Sequence, residues 1–233
     1  MKVLAVSCHP DDIEVGCGGT LTMCARRGDQ VTICHVANGN MGHVIIKPDE
    51  LRRIRLAEAR AGGAALGAVR VATLDVGDLL VDSANRQAVL ALVELIREID
   101  PDFIITHSPD DYMKDHQEVS RLVFDASFSA SVPHFAEGPA SRIAPIFYMD
   151  TLAGIGFQPE HYVDISPVID VKIGALNCHE SQLKWMLEHD HIDFADMVRT
   201  CARYRGYQCG APYAEGFISC KAYLRQRAER LLP

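Results

Sequence analysis

The sequence has 233 residues, of which 48% are hydrophobic and 23% are charged, and its formal net charge is −8. This balance is typical of a globular protein and excludes a disordered or fibrous chain, and the length predicts one domain over 1–233. The negative charge argues against a nucleic-acid partner, because phosphate binding needs clustered lysine and arginine. The apolar run in the opening MKVLAVSCHPDD is too short for a signal peptide or a membrane span, which predicts a cytoplasmic protein without a membrane partner.

Strand and helix patterns alternate through the first part of the chain. Apolar or alternating residues predict strands over 2–8, 30–36, 69–74 and 103–106. Helical patterns cover 13–27, 48–67 and, from a cap at Asp82-Ser83, the segment up to Ile99, and the chain turns helical again after Asp115. The four alternations predict an α/β fold with a mainly parallel sheet flanked by helices.

The segment from about 151 to 233 has a less regular pattern. We expect it to form an irregular cap on a core of residues 1 to about 150, within one domain, because no linker or change of composition separates the two parts. A fifth strand is predicted over 146–149, a helix from Ser166-Pro167 and a further helix over 182–205. Eight cysteines without a CxxC pair, several of them in apolar stretches, predict buried reduced thiols.

Two polar loops follow the first and fourth predicted strands: Cys8-His-Pro-Asp-Asp12 and the segment from His107 to His116. In open parallel sheets, ligands bind beyond the carboxyl ends of the strands where the strand order reverses, and the first and fourth strands commonly flank that point. His9 and Asp12 from one loop and His116 from the other give two nitrogens and an oxygen. Three such ligands suit a catalytic zinc ion with one open position, and Asp11 is placed to act as a general base toward water.

Each of these motifs also has an ordinary structural interpretation. An Asp-Asp turn commonly caps the helix that follows it, and a single histidine is most often a surface or hydrogen-bonded residue. The two loops taken together favour the metal. Gly16, Gly18 and Gly19 do not match a phosphate-binding GxGxxG loop and predict close packing of a helix.

HPDD after the first strand, GGT in the next helix and a later Asp-His pair resemble the LmbE-like or PIG-L deacetylases. The likeness extends to Arg55-x-x-Glu58, Asp75, Lys172, His179-x-Ser181-Gln182 and Tyr213-Ala-Glu-Gly-Phe217. The resemblance implies a Rossmann-like fold and zinc-dependent removal of an acyl group, usually acetyl, from an amino sugar or a related N-acyl small molecule. It also implies a homo-oligomer, for which the hexamer is one form.

The resemblance assigns roles residue by residue. His9, Asp12 and His116 match the metal ligands of the family, and Asp11 matches its general base. Asp115 matches an acid that orients an essential histidine or supports the site from behind.

One departure from the family pattern affects the expected mechanism. Where many members read His-Pro-Asp-His, this chain reads Met-Lys-Asp-His at 113–116, so the histidine that would protonate the leaving amine or stabilise the oxyanion is missing. His43 and His179 are candidate replacements in the substrate pocket. Tyr112 could donate to an oxyanion, and Arg55 matches the family pattern for a residue that binds substrate.

Two other activities stay open at this stage. A hydratase or lyase could use the same metal and base to add water to an activated double bond, and the missing histidine keeps this alternative open. A non-haem iron enzyme would need two histidines and a carboxylate, a pattern that His9, Asp11 and His116 match superficially. That kind of site normally lies on a β-rich barrel, which the alternating pattern does not predict.

Overall fold

The computed structural model describes residues 1–226, and its centre is one seven-stranded sheet. The strands are β1 (Lys2–Ser7), β2 (Gln30–Ala37), β3 (Arg70–Val76), β4 (Phe103–Thr106), β5 (Ile146–Met149), β6 (His161–Asp164) and β7 (Ala214–Ser219). Their order is β3-β2-β1-β4-β5-β7-β6; the first five are parallel, and β7 pairs antiparallel with both β5 and β6. The predicted α/β fold with a mainly parallel sheet is confirmed.

Helices cover both faces of the sheet. They are α1 (Asp12–Gly16), α2 (Gly18–Arg26), α3 (Pro48–Ala65), α4 (Arg86–Ile99), α5 (Lys114–Ser129), α6 (Ile169–Leu176), α7 (Glu180–His189) and α8 (Phe194–Cys209). Leu4 and Val6 of β1 belong to the core that contains residues of α4 and α5, whereas Val3 and Ala5 belong to the core on the opposite face, with Leu21 of α2. Burial of β1 on both faces explains its nearly continuous apolar sequence.

The predicted helix over 13–27 is wrong as a single element. The chain breaks at Cys17 into α1 and α2, and the glycines on either side of the break lie against other parts of the fold at very short range. A side chain at Gly16 would collide with Met149, and one at Gly19 would collide with Ile165. The expectation that these glycines permit close packing is therefore confirmed.

Three further details of the predicted elements need correction. The fourth helix is capped by Asn85, whose side chain accepts the N–H groups of the next turn, and not by Asp82-Ser83. The predicted helix over 182–205 is two helices, α7 and α8, separated by a turn in which His191 adopts a positive φ of 57°. The segment expected to be an irregular cap supplies β6 and β7 to the sheet; its last residues, 227–233, lie outside the described part of the chain.

A buried ion pair joins this late segment to the start of the chain. Lys172 of α6 donates to Glu215 of β7 and to the carbonyl of Val15 at 2.7 Å. Glu215 also accepts the backbone N–H groups of Gly19 and Thr20 at 2.8 and 2.7 Å. A buried charge is tolerated only when it is paired and hydrogen-bonded, and here both charges are satisfied.

All eight cysteines are free thiols, and five of them are buried, as the sequence predicts. Within residues 1–226, no helix combines the length and the apolar character needed to cross a bilayer.

Candidate metal centre

Two loops rich in histidine and aspartate lie side by side at one edge of the sheet. One follows β1 at residues 8–11, and the other connects β4 to α5 at 107–113. β1 and β4 are neighbours, and the strand order reverses between them. The loops therefore meet at the place that the sequence predicts.

Three side chains converge there, His9 and Asp12 after β1 and His116 in the first turn of α5. One ligand atom of each lies within 4.8 Å of the others. His9 Nδ1 is 3.4 Å from His116 Nε2, and the Asp12 oxygens lie 3.6 Å from the former and 3.5 Å from the latter. A tetrahedral zinc ion with bonds of about 2.1 Å holds its ligand atoms about 3.4 Å apart, so this spacing fits one shared ion. We call these three residues the candidate metal centre.

Each histidine of the candidate metal centre has a carboxylate behind its other ring nitrogen. Asp115 Oδ2 lies 3.6 Å from His9 Nε2 and accepts the Leu79 N–H at 2.7 Å. Asp111 Oδ2 lies 3.1 Å from His116 Nδ1. Such carboxylates fix the orientation of a ligating histidine and raise its basicity. Asp115 therefore lies where an orienting acid is expected, whereas the position of Asp111 behind His116 is a feature that the sequence reasoning missed.

Two other groups of side chains are also close enough together to bind a metal ion, and each shares a histidine with the candidate metal centre. They are Cys8 with His9 and Asp115, and His107 with Asp111 and His116. Burial raises the pKa of the Cys8 thiol to about 12, which disfavours the thiolate that a metal needs. The Cys8 N–H donates to His107 Nε2 at 2.9 Å, so the lone pair of that nitrogen is already used. Burial, followed by the nearby His116, lowers the pKa of His107 to about 4 and keeps the ring neutral. His107 instead stacks on the His116 ring, with the centroids 3.9 Å apart.

The adjacent carboxylates Asp11 and Asp12 have different environments. Burial raises the pKa of Asp11 to about 6, although Arg55 opposes the change. Partial burial acts to raise the pKa of Asp12, but the charges of His116 and His107 hold it well below the ordinary value. Carboxylates whose pKa values diverge in this way commonly divide the roles of base and ligand.

Asp11 is held in place by its backbone and by Arg55. Its φ of 106° lies in the left-handed region, and its side chain makes no capping bond to α1. The carboxylate instead accepts a hydrogen bond from Arg55 Nη2 at 3.0 Å. Arg55 is buried and also donates to the carbonyls of Pro10 and Gly39. The helix-cap interpretation of the Asp-Asp turn therefore fails for Asp11, and Arg55 supports the site from within the protein.

A cavity of about 340 Å³ opens over the candidate metal centre. Asp11, Arg55 and Asp111 line it together with the three candidate ligands. Tyr112, with 49% of its surface exposed, and Met113 also lie in its wall. Tyr112 is the one hydroxyl-bearing side chain among the described residues that line the cavity.

Comparison with known proteins shows the family to which this chain belongs. The family model described as PIG-L: GlcNAc-PI de-N-acetylase matches residues 4–127. A diacetylchitobiose deacetylase from Thermococcus kodakarensis is 31% identical over 231 residues, which cover 92% of this chain and 81% of that protein. The chain belongs to the PIG-L family.

Activities differ among the PIG-L relatives of this chain. A 4-oxalmesaconate hydratase from Pseudomonas putida is 26% identical over 192 residues, covering 78% of this chain and 74% of that protein. The crystal structure of a 4-carboxy-2-hydroxymuconate hydratase from Pseudomonas putida has a TM-score of 0.86 at 23% identity, with 99% of each chain covered. Family membership therefore indicates an enzyme and includes both deacetylases and hydratases.

Neither candidate replacement for the family histidine at Met113 lines the cavity. The His43 ring accepts the N–H groups of Ile45 and Ile46 and lies against Trp185, with the centroids 5.1 Å apart. His179 is fully buried, and its Nε2 lies 3.4 Å from Glu14. The geometry thus gives neither histidine a direct approach to a ligand at the candidate metal centre.

The buried pair of Glu14 and His179 is a second feature that the sequence reasoning missed. Neither Glu14 oxygen makes a hydrogen bond within the described residues, apart from the close approach to His179. Burial lowers the pKa of His179, but the contact with Glu14 more than offsets this and raises it overall. A side chain at Gly62 would collide with both groups, at 2.5 Å from Glu14 Oε1 and 2.9 Å from His179 Nε2. The missing side chain at Gly62 therefore makes room for this pair beneath α1.

Proposed function

We propose that this chain is a zinc-dependent amide hydrolase that removes an acyl group, such as acetyl, from an N-acylated small molecule. The observation that carries the proposal is the position of Asp11, a buried carboxylate in the same cavity as the candidate metal centre of His9, Asp12 and His116. A module that only binds a metal has no use for such a base.

The residues divide the work of hydrolysis as follows. His9, Asp12 and His116 hold the ion, with Asp115 and Asp111 orienting the two histidines. When bound, a zinc ion lowers the pKa of water to about 7 and polarises a carbonyl oxygen. Asp11 accepts the proton of the attacking water.

Release of the amine, which requires cleavage of the C–N bond, depends on residues of the same cavity. The thioether of Met113 cannot protonate a leaving amine, so we assign that transfer to Asp11, which carries the proton taken from water. Tyr112, a partly exposed residue of the cavity lining, is assigned to the oxyanion, to which its hydroxyl would donate a hydrogen bond. In this scheme one carboxylate serves as base and then as acid.

The charge of the cavity favours the amide hydrolase over the hydratase alternative. The two hydratases in the comparison act on substrates whose names denote carboxylic acids. Arg55 is the single arginine or lysine among the described residues that line the cavity, and it is already bonded to Asp11, Pro10 and Gly39. Among the described lining residues, a substrate with several carboxylates would therefore find no free arginine or lysine beside the metal.

The iron-enzyme alternative has weaker support. Its usual scaffold is a β-rich barrel, whereas this sheet is open and mainly parallel.

The test is to load the metal-free protein with zinc and assay two panels, one of N-acetyl compounds and one of unsaturated carboxylic acids. We expect zinc-dependent release of acetate and free amine in equal amounts, with no hydration of double bonds. In parallel, elemental analysis should find about one zinc per chain, and His116→Ala should lose it while His134→Ala, at an exposed histidine away from the cavity, should keep it. Hydration without acetate release would establish the hydratase instead, and zinc retained in His116→Ala would contradict the ligand assignment.

A further inference from the structure

The apolar part of the cavity lining is rich in methionine. Four of the seven methionines of the chain lie in it: Met41, Met113, Met149 and Met186. Leu152 and Phe194 also lie in it, and we call these six residues the methionine wall. Its members come from five separate segments, so their meeting is a property of the fold and not of one motif.

Polar side chains near the methionine wall are already bonded to the protein. Both oxygens of Asp78 accept backbone N–H groups, those of Gly39 at 2.7 Å and Met41 at 3.0 Å. The Asp150 carboxylate binds Arg205 through two contacts of 2.6 and 3.1 Å. Gln182 donates its amide to the carbonyl of Gly42 at 3.2 Å. These groups hold loops in place and leave few donors or acceptors for a ligand.

This distribution bears on the kind of molecule that can fill the cavity. A sugar ring carries a hydroxyl on almost every carbon, and each hydroxyl that leaves water without a partner costs free energy. An aryl or alkyl group gains free energy from the same wall, and flexible thioethers adapt to the faces and edges of aromatic rings. The wall is therefore matched to an apolar group and mismatched to a polyhydroxylated one.

We propose that the substrate is an N-acyl aryl- or alkylamine, whose apolar group lies against the methionine wall, and not an N-acetylated amino sugar. This inference rests on the proposed amide hydrolase. It identifies Met186 and Phe194, which flank the turn between α7 and α8, as specificity-determining residues.

The test uses three hydroxamic acids, which share a metal-binding group but differ in what they present to the wall. They are acetohydroxamic, 3-phenylpropionohydroxamic and gluconohydroxamic acid, and their affinities for the zinc-loaded protein are measured by calorimetry. We expect the phenyl compound to bind about tenfold more tightly than acetohydroxamic acid, or better, because the ring leaves water for the wall. We expect the gluco compound to gain nothing.

The outcomes separate the two proposals. If acetohydroxamic acid binds but the phenyl compound is no tighter, or the gluco compound is tightest, the inference about the substrate is overturned while the metal centre stands. If acetohydroxamic acid does not bind the zinc-loaded protein, the candidate metal centre is contradicted and the inference falls with it.

Two variants test whether the preference for the phenyl compound depends on Met186. Met186→Gln places an amide of similar size in the wall and should remove most of the phenyl preference, about fivefold or more. Met197→Gln, at a half-buried methionine of α8 outside this cavity, should keep the preference. Equal phenyl preference in the two variants would overturn the assignment of Met186.

Discussion

The two ends of the cavity are built in different ways. The metal end comes from two loops that directly follow the adjacent strands β1 and β4, and its groups are fixed by hydrogen bonds. The methionine wall combines Met113 of the second loop with residues from four other segments, and its members Leu152, Met186 and Phe194 belong to one apolar cluster. We infer that the strand ends supply the chemistry, whereas side chains from several segments determine which molecule reaches it. A change at Met186, which lies in neither loop, should therefore leave the metal end intact.

The largest effect is expected from Asp11→Asn. Asparagine tolerates the left-handed backbone at this position and keeps a polar group near Arg55, but it cannot accept the proton of water. We expect kcat to fall by about 10²–10⁴-fold, with zinc content and the affinity for the phenyl hydroxamate retained. Steady-state kinetics, elemental analysis and calorimetry on the same preparation give the three readouts. Loss of zinc in this variant would mean that Asp11 is a ligand and not the base.

A smaller effect is expected from Asp111→Asn, which removes the charge behind His116. We expect zinc affinity to fall by about 10–100-fold, because the ring loses the partner that orients it and raises its basicity. Asp110→Asn is the matched control, since Asp110 is the exposed neighbour in the same loop. Competition with a chromophoric chelator measures both affinities. Equal affinities in the two variants would show that Asp111 contributes nothing to the metal end.

The smallest effect is expected at the buried pair of Glu14 and His179. Gly62→Ala should lower the free energy of unfolding by about 1–3 kcal/mol, because the new methyl group collides with Glu14 and His179. Gly174→Ala, in the helix α6, meets nothing within 4 Å and should be neutral or stabilising by up to about 1 kcal/mol. Urea unfolding of both variants checks the difference. If the two variants have the same free energy of unfolding, Glu14 and His179 must shift to admit the methyl group without loss of stability.

The fold was predictable where one pattern dominated a segment. β1 to β5 are short apolar or alternating runs separated by helical stretches, and such connections are typical of parallel strands joined by right-handed crossovers. β6 has polar residues at both ends, His161 and Asp164, and β7 contains glycine and glutamate, so neither carries a strand signal of its own. β7 is a strand because it pairs with β5, and β6 because it pairs with β7. The break at Cys17 was also missed, because the small and apolar residues on both sides of it are typical of one continuous helix.

The candidate metal centre was more predictable than its surroundings. His9, Asp12 and His116 follow strand ends, and parallel strands bring such ends to one edge of the sheet. Asp111 could be identified only once the direction of the His116 ring was known. The methionine wall could not be predicted, because residues from 41 to 194 of the sequence meet in it and each alone is an ordinary apolar residue.

The ion pair of Lys172 and Glu215 has a consequence for biosynthesis. Gly19 and Thr20, whose N–H groups bind the Glu215 carboxylate, are synthesised 196 and 195 residues before Glu215. Lys172 is synthesised 43 residues before it. A nascent chain that stops short of β7 must either keep these groups in water or bury a charge alone, which costs several kcal/mol. We therefore expect the interior beneath α1 and α2 to close only after β7 has been synthesised, and chains truncated before β7 to be cut by proteases faster than chains that contain it.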